Sequence, residues 1–437
     1  MKKRRKSLNQ HLKNKTDSSS NFESNLAPQW GRDLLFLAPK KSLILMGKIE
    51  EKNKSFMLKL EGVVKQYSYG NRLFGAVDMT LEKGEILSIL GLEGSGKTTF
   101  LKTVAGIEEY EGKITLDGEV IKGRTDDVIM VFDDGALFPM KTVFDNLAYP
   151  LKIRGVNKVE IAEKVMQVAD VFGLFATLKT RAKNLNLVEK RKVSLARILM
   201  RQAKLILIDD FLKDLPERDA DVLFDEVTRV LYILSKTNDT TVIFATESPR
   251  YALGFGDKTM VLVDGEIKQI GTYSDMWHNP TTVWSAKAVD DTYNTVKGTL
   301  KCENDRLTFV STPLNGVFSL DENNQVQWQD ADLYQTITLD VTERKDEIVE
   351  DFIGKDILIG WHGSDYDFDE NGMKLDIQFV KNQGDKIVLQ GDYDYEEIKV
   401  VTALQDKDEG KIAILPKVDK LHFFTVTENS ILKRKHQ

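Results

Sequence analysis

The stretch "GEILSILGLEGSGKTTF" (84–100) decides how this chain folds. Its front half is a short apolar run bounded by glycine, which reads as a buried strand. Its back half, Gly91-Leu-Glu-Gly-Ser-Gly-Lys-Thr98, fits G-x-x-x-x-G-K-[ST]. A triphosphate needs many N–H donors pointing inward, and glycines let the backbone wrap it with no Cβ in the way. "TTFLKTVAGI" (98–107) then reads as a helix beginning near Lys97, which adds the positive end of its dipole. In such a loop Lys97 reaches the β- and γ-phosphates and the Thr98 hydroxyl ligates Mg²⁺. Gly91, Gly94, Ser95, Gly96, Lys97, Thr98 and Thr99 are therefore candidate contacts for ATP and Mg²⁺. The plainer reading, a glycine-rich structural turn, leaves Lys97 unexplained.

Outward from this loop, strands and helices alternate to about residue 290. "ITLDGEVI" (114–121) is a hairpin with an Asp-Gly turn. "DDVIMVF" (126–132) and "AKLILIDD" (203–210) are apolar runs, and the second closes on Asp209 and Asp210. "VEIAEKVMQVADVFGLF" (159–175) has helical spacing, and "KVSLARIL" (192–199) reads as a helix before a buried strand. "TTVIFATE" (240–247) and "KTMVLVDGEIKQIG" (258–271) are further strands. This pattern predicts an α/β domain with a largely parallel sheet. From about 291 the runs become short, alternating and turn-bounded, as in "KLDIQFV" (374–380), "DKIVLQG" (385–391), "IKVVTAL" (398–404) and "KIAILP" (411–416). They predict a C-terminal all-β domain, sandwich or small barrel.

The totals agree with a globular chain. It has 437 residues, 41% hydrophobic and 30% charged, with 9 prolines. Length alone suggests roughly three domains. The net charge of −7 gives no nucleic-acid footprint. The single cysteine, Cys302, forms no internal disulfide and suits a reducing compartment. No run reaches the roughly 18 apolar residues of a membrane span. "LLFLA" (34–38) and "SLILM" (42–46) come nearest and are split by "PKK". "MKKRRKSLNQ" (1–10) has no apolar stretch behind it, so it is no secretory signal. Residues 1–56 read as mostly disordered, with a membrane-surface or partner-binding tail as the alternative, and Met57 as a further possible start.

Taken together, these motifs resemble the ATPase subunits of ABC transporters, above all those driving maltose-type carbohydrate importers. The resemblance covers about 57–437. It includes "VFDDGALFPMKTVFDNLAYPLKIRGVNKVEI" (131–161), similar to the Q-loop and helical subdomain, and "DKTMVLVDGEIKQIGT" (257–272), similar to the last core strands. "DILIGWHGSDY" (356–366) and "KIAILPKVDKLHFF" (411–424) resemble the regulatory domain of this subgroup. The resemblance implies an α/β P-loop NTPase core with a helical subdomain over 57–290, and an OB-type all-β domain over 291–437. It implies a function as well: closure of an ATP-driven dimer opens a membrane permease. It places the subunit on the cytoplasmic face, peripheral to the membrane, with no membrane span of its own. Tyr67 stands where the family stacks an aromatic on adenine, and Asp209 where it holds Mg²⁺.

Several positions depart from the family's pattern. Asp133 replaces a glutamine that touches Mg²⁺, and an acid has no amide N–H to donate. Leu185-Asn186-Leu187-Val188-Glu189 replaces Leu-Ser-Gly-Gly-Gln, the signature that meets the γ-phosphate of ATP held by the other subunit. Asn186 can stand in for the serine's donor, whereas Leu187 and Val188 add branched side chains and Glu189 adds negative charge. Asp210 stands for the catalytic glutamate, about one methylene short, and a misplacement of about 1 Å can cost on the order of a hundredfold in rate. Phe211 replaces a proline, Lys213-Asp-Leu-Pro216 replaces Ser-Asn-Leu-Asp, and Glu247 stands at the switch histidine. These changes predict that nucleotide is held and hydrolysis is weak or lost, with a heterodimer favoured over a homodimer. The alternative is a non-catalytic nucleotide-sensing or assembly subunit. "DFDENGMKLDIQ" (367–378) nearly fits a calcium loop but ends in Gln378, and reads as a solvated turn.

Overall fold

The computed structural model describes residues 56–66, 72–132, 136–311, 318–320, 326–328, 336–383, 386–393, 396–403 and 411–431. The readings of residues 1–55, Tyr67 and Asp133 lie outside the described residues. In chain order the α/β part contains β1 (Phe56–Gln66), β2 (Arg72–Glu82), β3 (Ile86–Leu90), α1 (Lys97–Val104), β4 (Glu111–Leu116), β5 (Glu119–Val120) and β6 (Val128–Val131). Then come α2 (Val143–Ile153), α3 (Lys158–Val171), α4 (Leu187–Leu199), β7 (Leu205–Asp209), α5 (Glu217–Asn238) and β8 (Thr241–Thr246). Helix α6 (Pro249–Phe255), β9 (Lys258–Val263), β10 (Glu266–Gly271), α7 (Tyr273–His278) and α8 (Val283–Val289) complete it.

Contacts divide the chain into two compact units: the described residues to Val64 with 76–86 and 98–244, and 65–75 with 87–97 and everything from Ala245. In the first, β1 and β4 pair antiparallel in a sheet of order β2-β1-β4-β5. The Asp117-Gly118 turn between β4 and β5 has φ of 51° and 85°, as a two-residue hairpin loop requires. Strands β6 and β7 pair in parallel, with Val128 opposite Leu205. Parallel neighbours need a long crossover, and α2 to α4 lie in it. Strand β7 is buried at every residue, the mark of a strand covered on both faces. β8 is equally buried, and its first four residues belong here while its last two belong to the second unit.

The second unit pairs β3 in parallel with β9, Leu87 opposite Lys258, and β9 antiparallel with β10. The same unit holds an all-antiparallel region. Its first sheet uses β11 (Asn294–Glu303), β12 (Arg306–Ser311), β15 (Thr338–Asp340), β16 (Asp356–Trp361) and β21 (His422–Thr425). The hairpin β13 (Phe318–Leu320) and β14 (Val326–Trp328) stands apart in pairing. Its other sheet uses β17 (Tyr366–Gln383), β18 (Lys386–Tyr393), β19 (Glu396–Ala403) and β20 (Lys411–Pro416). Alternation puts Val296, Leu300, Phe309 and Trp361 of one sheet into the same core as Leu375, Leu389 and Ile398 of the other. The α/β and all-β patterns read from the sequence are thus both present. The calcium-like stretch lies in β17, where Phe368 and Met373 both pair with Ile414, so the residues between them are looped out. Among the described residues, no helix is long and apolar enough to cross a membrane.

A buried polar cluster ties the helices of this unit to its strands. His422 Nδ1 lies 2.8 Å from Tyr293 Oη, and its Nε2 lies 3.2 Å from the His278 carbonyl. One ring nitrogen accepts and the other donates, which a neutral imidazole satisfies. Beside it, His362 Nδ1 is 2.7 Å from the Asp290 carboxylate, and Trp277 stacks on the His362 ring. Burial, then the neighbouring His362, pushes His422 down to about 4. Since the unfolded chain binds a proton near the ordinary value, this contribution is complete above about pH 6.5 and lost as pH falls towards about 4. Stability against urea is therefore expected to fall across that window. His422→Gln, which keeps one donor and one acceptor, is expected to flatten the fall. Equal acid dependence in both proteins would rule His422 out as its source.

Candidate functional site

The glycine-rich loop is held at both ends by backbone. Strand β3 delivers Gly91, whose N–H donates to the Thr246 carbonyl at 3.3 Å. Gly265 N–H donates to the Ser95 carbonyl at 3.0 Å, and α1 starts at Lys97. Gly94 and Gly96 sit at φ of 81° and 104°, where a side chain is strained. A Cβ on Gly91 would overlap Ser95 Oγ and lie 2.5 Å from the Leu262 carbonyl. The glycines are thus required by the shape of the loop itself.

Inside it, Lys97 is 4% exposed, and its ammonium donates to the carbonyls of Gly91 at 2.9 Å and Leu92 at 3.1 Å. The Glu247 carboxylate, one residue past β8, lies 3.6 Å from the same nitrogen. Ser95 is buried, and its hydroxyl has no hydrogen-bond partner among the described residues. A buried hydroxyl without a partner is costly unless a ligand or water completes it. The left-handed glycines, the orphan hydroxyl, the buried ammonium and the start of α1 together fit a polyphosphate.

The other candidates lie in the first unit. Thr98 and Thr99 occupy the first turn of α1, and Asp209 ends β7 with only 5% exposure. Asp210 follows at φ 38°, a conformation that Asp tolerates better than most side chains. Phe211 is wholly buried. Over its ring, at 5.4 Å, lies the guanidinium of Arg191 from α4, which is itself 3% exposed. Arg191 was not legible as a functional residue: in "EKRKVS" (189–194) it reads as one base among three. Its only signal is that the residue it packs on, Phe211, is itself a departure from the pattern.

The signature segment opens α4 and closes on itself. Asn186 is the N-cap, and its side-chain oxygen accepts from Glu189 N–H at 2.9 Å. Glu189 returns its carboxylate to the Asn186 N–H at 3.0 Å. This capping box satisfies two of the orphan donors of the helix start. It also sets a carboxylate at the positive end of the dipole, the place an incoming phosphate would seek. Glu189 therefore acts as an internal anion, which its charge alone does not reveal. Leu187 is exposed and Val188 partly so.

Comparison with known proteins identifies a family. The family model described as "ABC transporter" matches residues 74–213. The sn-glycerol-3-phosphate import ATP-binding protein UgpC of Vibrio vulnificus (strain YJ016) is 32% identical over 237 residues, covering 53% of this chain and 63% of that protein. UgpC 1 of Rhizobium johnstonii is 30% identical over 274 residues, covering 62% of this chain and 70% of that protein. Among solved structures, cbiO1 from Clostridium perfringens is 22% identical with a TM-score of 0.46, covering 51% of this chain and 91% of that one. The chain belongs to the ABC transporter ATP-binding family. Its match spans 63% of the length of the first of these relatives.

Proposed function

We propose that this chain is the nucleotide-binding subunit of an ABC importer for a carbohydrate or a related polyol, with little hydrolysis of its own. The observation that carries this reading is the loop at 91–98: its glycine geometry, the buried Lys97 and the unpartnered Ser95 hydroxyl suit a phosphate chain. In this reading Gly91, Gly94, Ser95, Gly96, Lys97, Thr98 and Thr99 hold the phosphates of ATP, and Tyr67 stacks on its base. Thr98 and Asp209, with Asp133, hold Mg²⁺. The import named for the UgpC relatives supports the direction of transport and a polyol-like cargo. Residues 57–290 are the nucleotide-binding domain and 291–437 the regulatory domain. The subunit works at the cytoplasmic face against permease subunits.

Weak hydrolysis follows from three side chains. Asp210 is too short to orient water as a glutamate does, Glu247 offers an acceptor-only carboxylate where a donor to phosphate is needed, and Glu189 closes the helix start that would complete the site of a partner subunit. A heterodimer with an intact ATPase subunit leaves one composite site with that subunit's full set of catalytic groups. The capping box also favours a second reading, a nucleotide-sensing or assembly subunit with no turnover at all.

Purified protein separates these. The chain alone is expected to bind ATP and hydrolyse it far below transporter rates. Asp210→Glu combined with Glu247→His is expected to raise the rate by about tenfold, less than the roughly hundredfold a 1 Å misplacement can cost, because α4 stays capped. Ordinary transporter turnover by the unmodified chain would overturn the weak-hydrolysis reading. Failure to associate with any permease would leave the sensing role in its place.

A further inference from the structure

We propose that the loop at 91–98 selects a nucleoside diphosphate over the triphosphate, and that Glu247 is the residue that discriminates. This rests on the reading that the loop holds a nucleotide. A lysine ammonium has three N–H donors and no acceptor. In this structure the carbonyls of Gly91 and Leu92 take donors of Lys97, and the Glu247 carboxylate approaches the same nitrogen at 3.6 Å. The positive charge that a terminal phosphoryl group would seek is already faced by a carboxylate.

Glu247 is held there by the strand before it. Strand β8 is buried throughout, its Thr246 carbonyl receives the Gly91 N–H, and Glu247 is the next residue. Its side chain is 35% exposed, so water screens it only in part. A phosphate seated in the curve of the loop is bound by backbone N–H groups and the helix dipole, neither of which Glu247 removes. A further phosphoryl beyond it must either evict the carboxylate from Lys97 or lie beside it as a like charge. Both cost affinity for the triphosphate and neither bears on the first phosphates.

The test is calorimetric titration of the full chain with ADP, with ATP and with a non-hydrolysable ATP analogue, each with Mg²⁺. The unmodified chain is expected to bind ADP more tightly than either triphosphate. Glu247→Gln keeps the size of the side chain and removes its charge. It is expected to tighten triphosphate binding by about tenfold, the effect of one modest charge interaction, and to leave ADP within about twofold. Tighter binding of triphosphate by the unmodified chain overturns the selectivity, whatever the variant does. A preference for ADP that survives in Glu247→Gln overturns the role of Glu247. If neither ADP nor ATP binds, the nucleotide-site reading itself fails. If Glu247→Gln does not fold, the unmodified chain's ratio of affinities still decides.

Discussion

Lys97→Ala is expected to weaken nucleotide binding by roughly a hundredfold. The ammonium is buried and gathers two carbonyls of the loop and one carboxylate around a single positive charge. Its removal takes away charge-assisted hydrogen bonds worth about 1.5–3 kcal/mol each to a phosphate. It also leaves the Glu247 carboxylate facing a polyanion without the lysine between them. A loss of about 1.4 kcal/mol is tenfold in affinity, so two such interactions at the low end of that range give the expected factor. Titration with ADP and ATP measures it, with circular dichroism to verify the fold. Affinity within about threefold of the parent would mean that the backbone of the loop grips the phosphates without the lysine.

Phe211→Ala is expected to destabilise the first unit by about 3–5 kcal/mol, the range for deleting a buried aromatic ring. Phe211 is fully buried and carries the Arg191 guanidinium above its face. Without the ring, a cavity opens beneath a charged group that is itself out of water. A desolvated cation–π contact adds up to about 2 kcal/mol to the ring's contribution. Two compact units need not unfold together, so the quantity to read is the earliest transition in guanidinium chloride. A shift worth under about 1 kcal/mol would show that Arg191 and its neighbours repack around the smaller side chain. Phe211→Leu, which keeps most of the volume and loses the π face, separates packing from the cation contact.

The regular parts of this fold were legible because their causes are local. "ILSIL", "LILID" and "TVIFAT" are buried at every position, and an apolar run of that length bounded by polar turn residues has few other uses. The Asp-Gly turns at 117–118 and 264–265 take the left-handed conformations that those residue types signal. The glycines of the phosphate loop were legible for the same reason. What escaped the sequence depends on side chains far apart in the chain. Arg191 meets Phe211 across 19 intervening residues of helix, loop and strand, and Lys97 meets Glu247 only because two strands end together. Glu189 was legible as a negative charge. That it turns back to cap its own helix depends on the rotamers of Asn186 and Glu189, which composition does not fix.

The interruption in β17 has a consequence for how this chain tolerates change in length. Because Phe368 and Met373 meet the same partner, Ile414, the ladder resumes after the loop as though nothing had intervened. The detour begins with Asp369 accepting the Asn371 N–H at 2.8 Å, and ends at Gly372, where a Cβ would overlap the Ile414 carbonyl. Only its closing hinge is constrained by the sheet. A peptide tag or a fluorescent label spliced between Asp369 and Asn371 would ride outside the ladder, offering a handle for following this chain without disturbing its core.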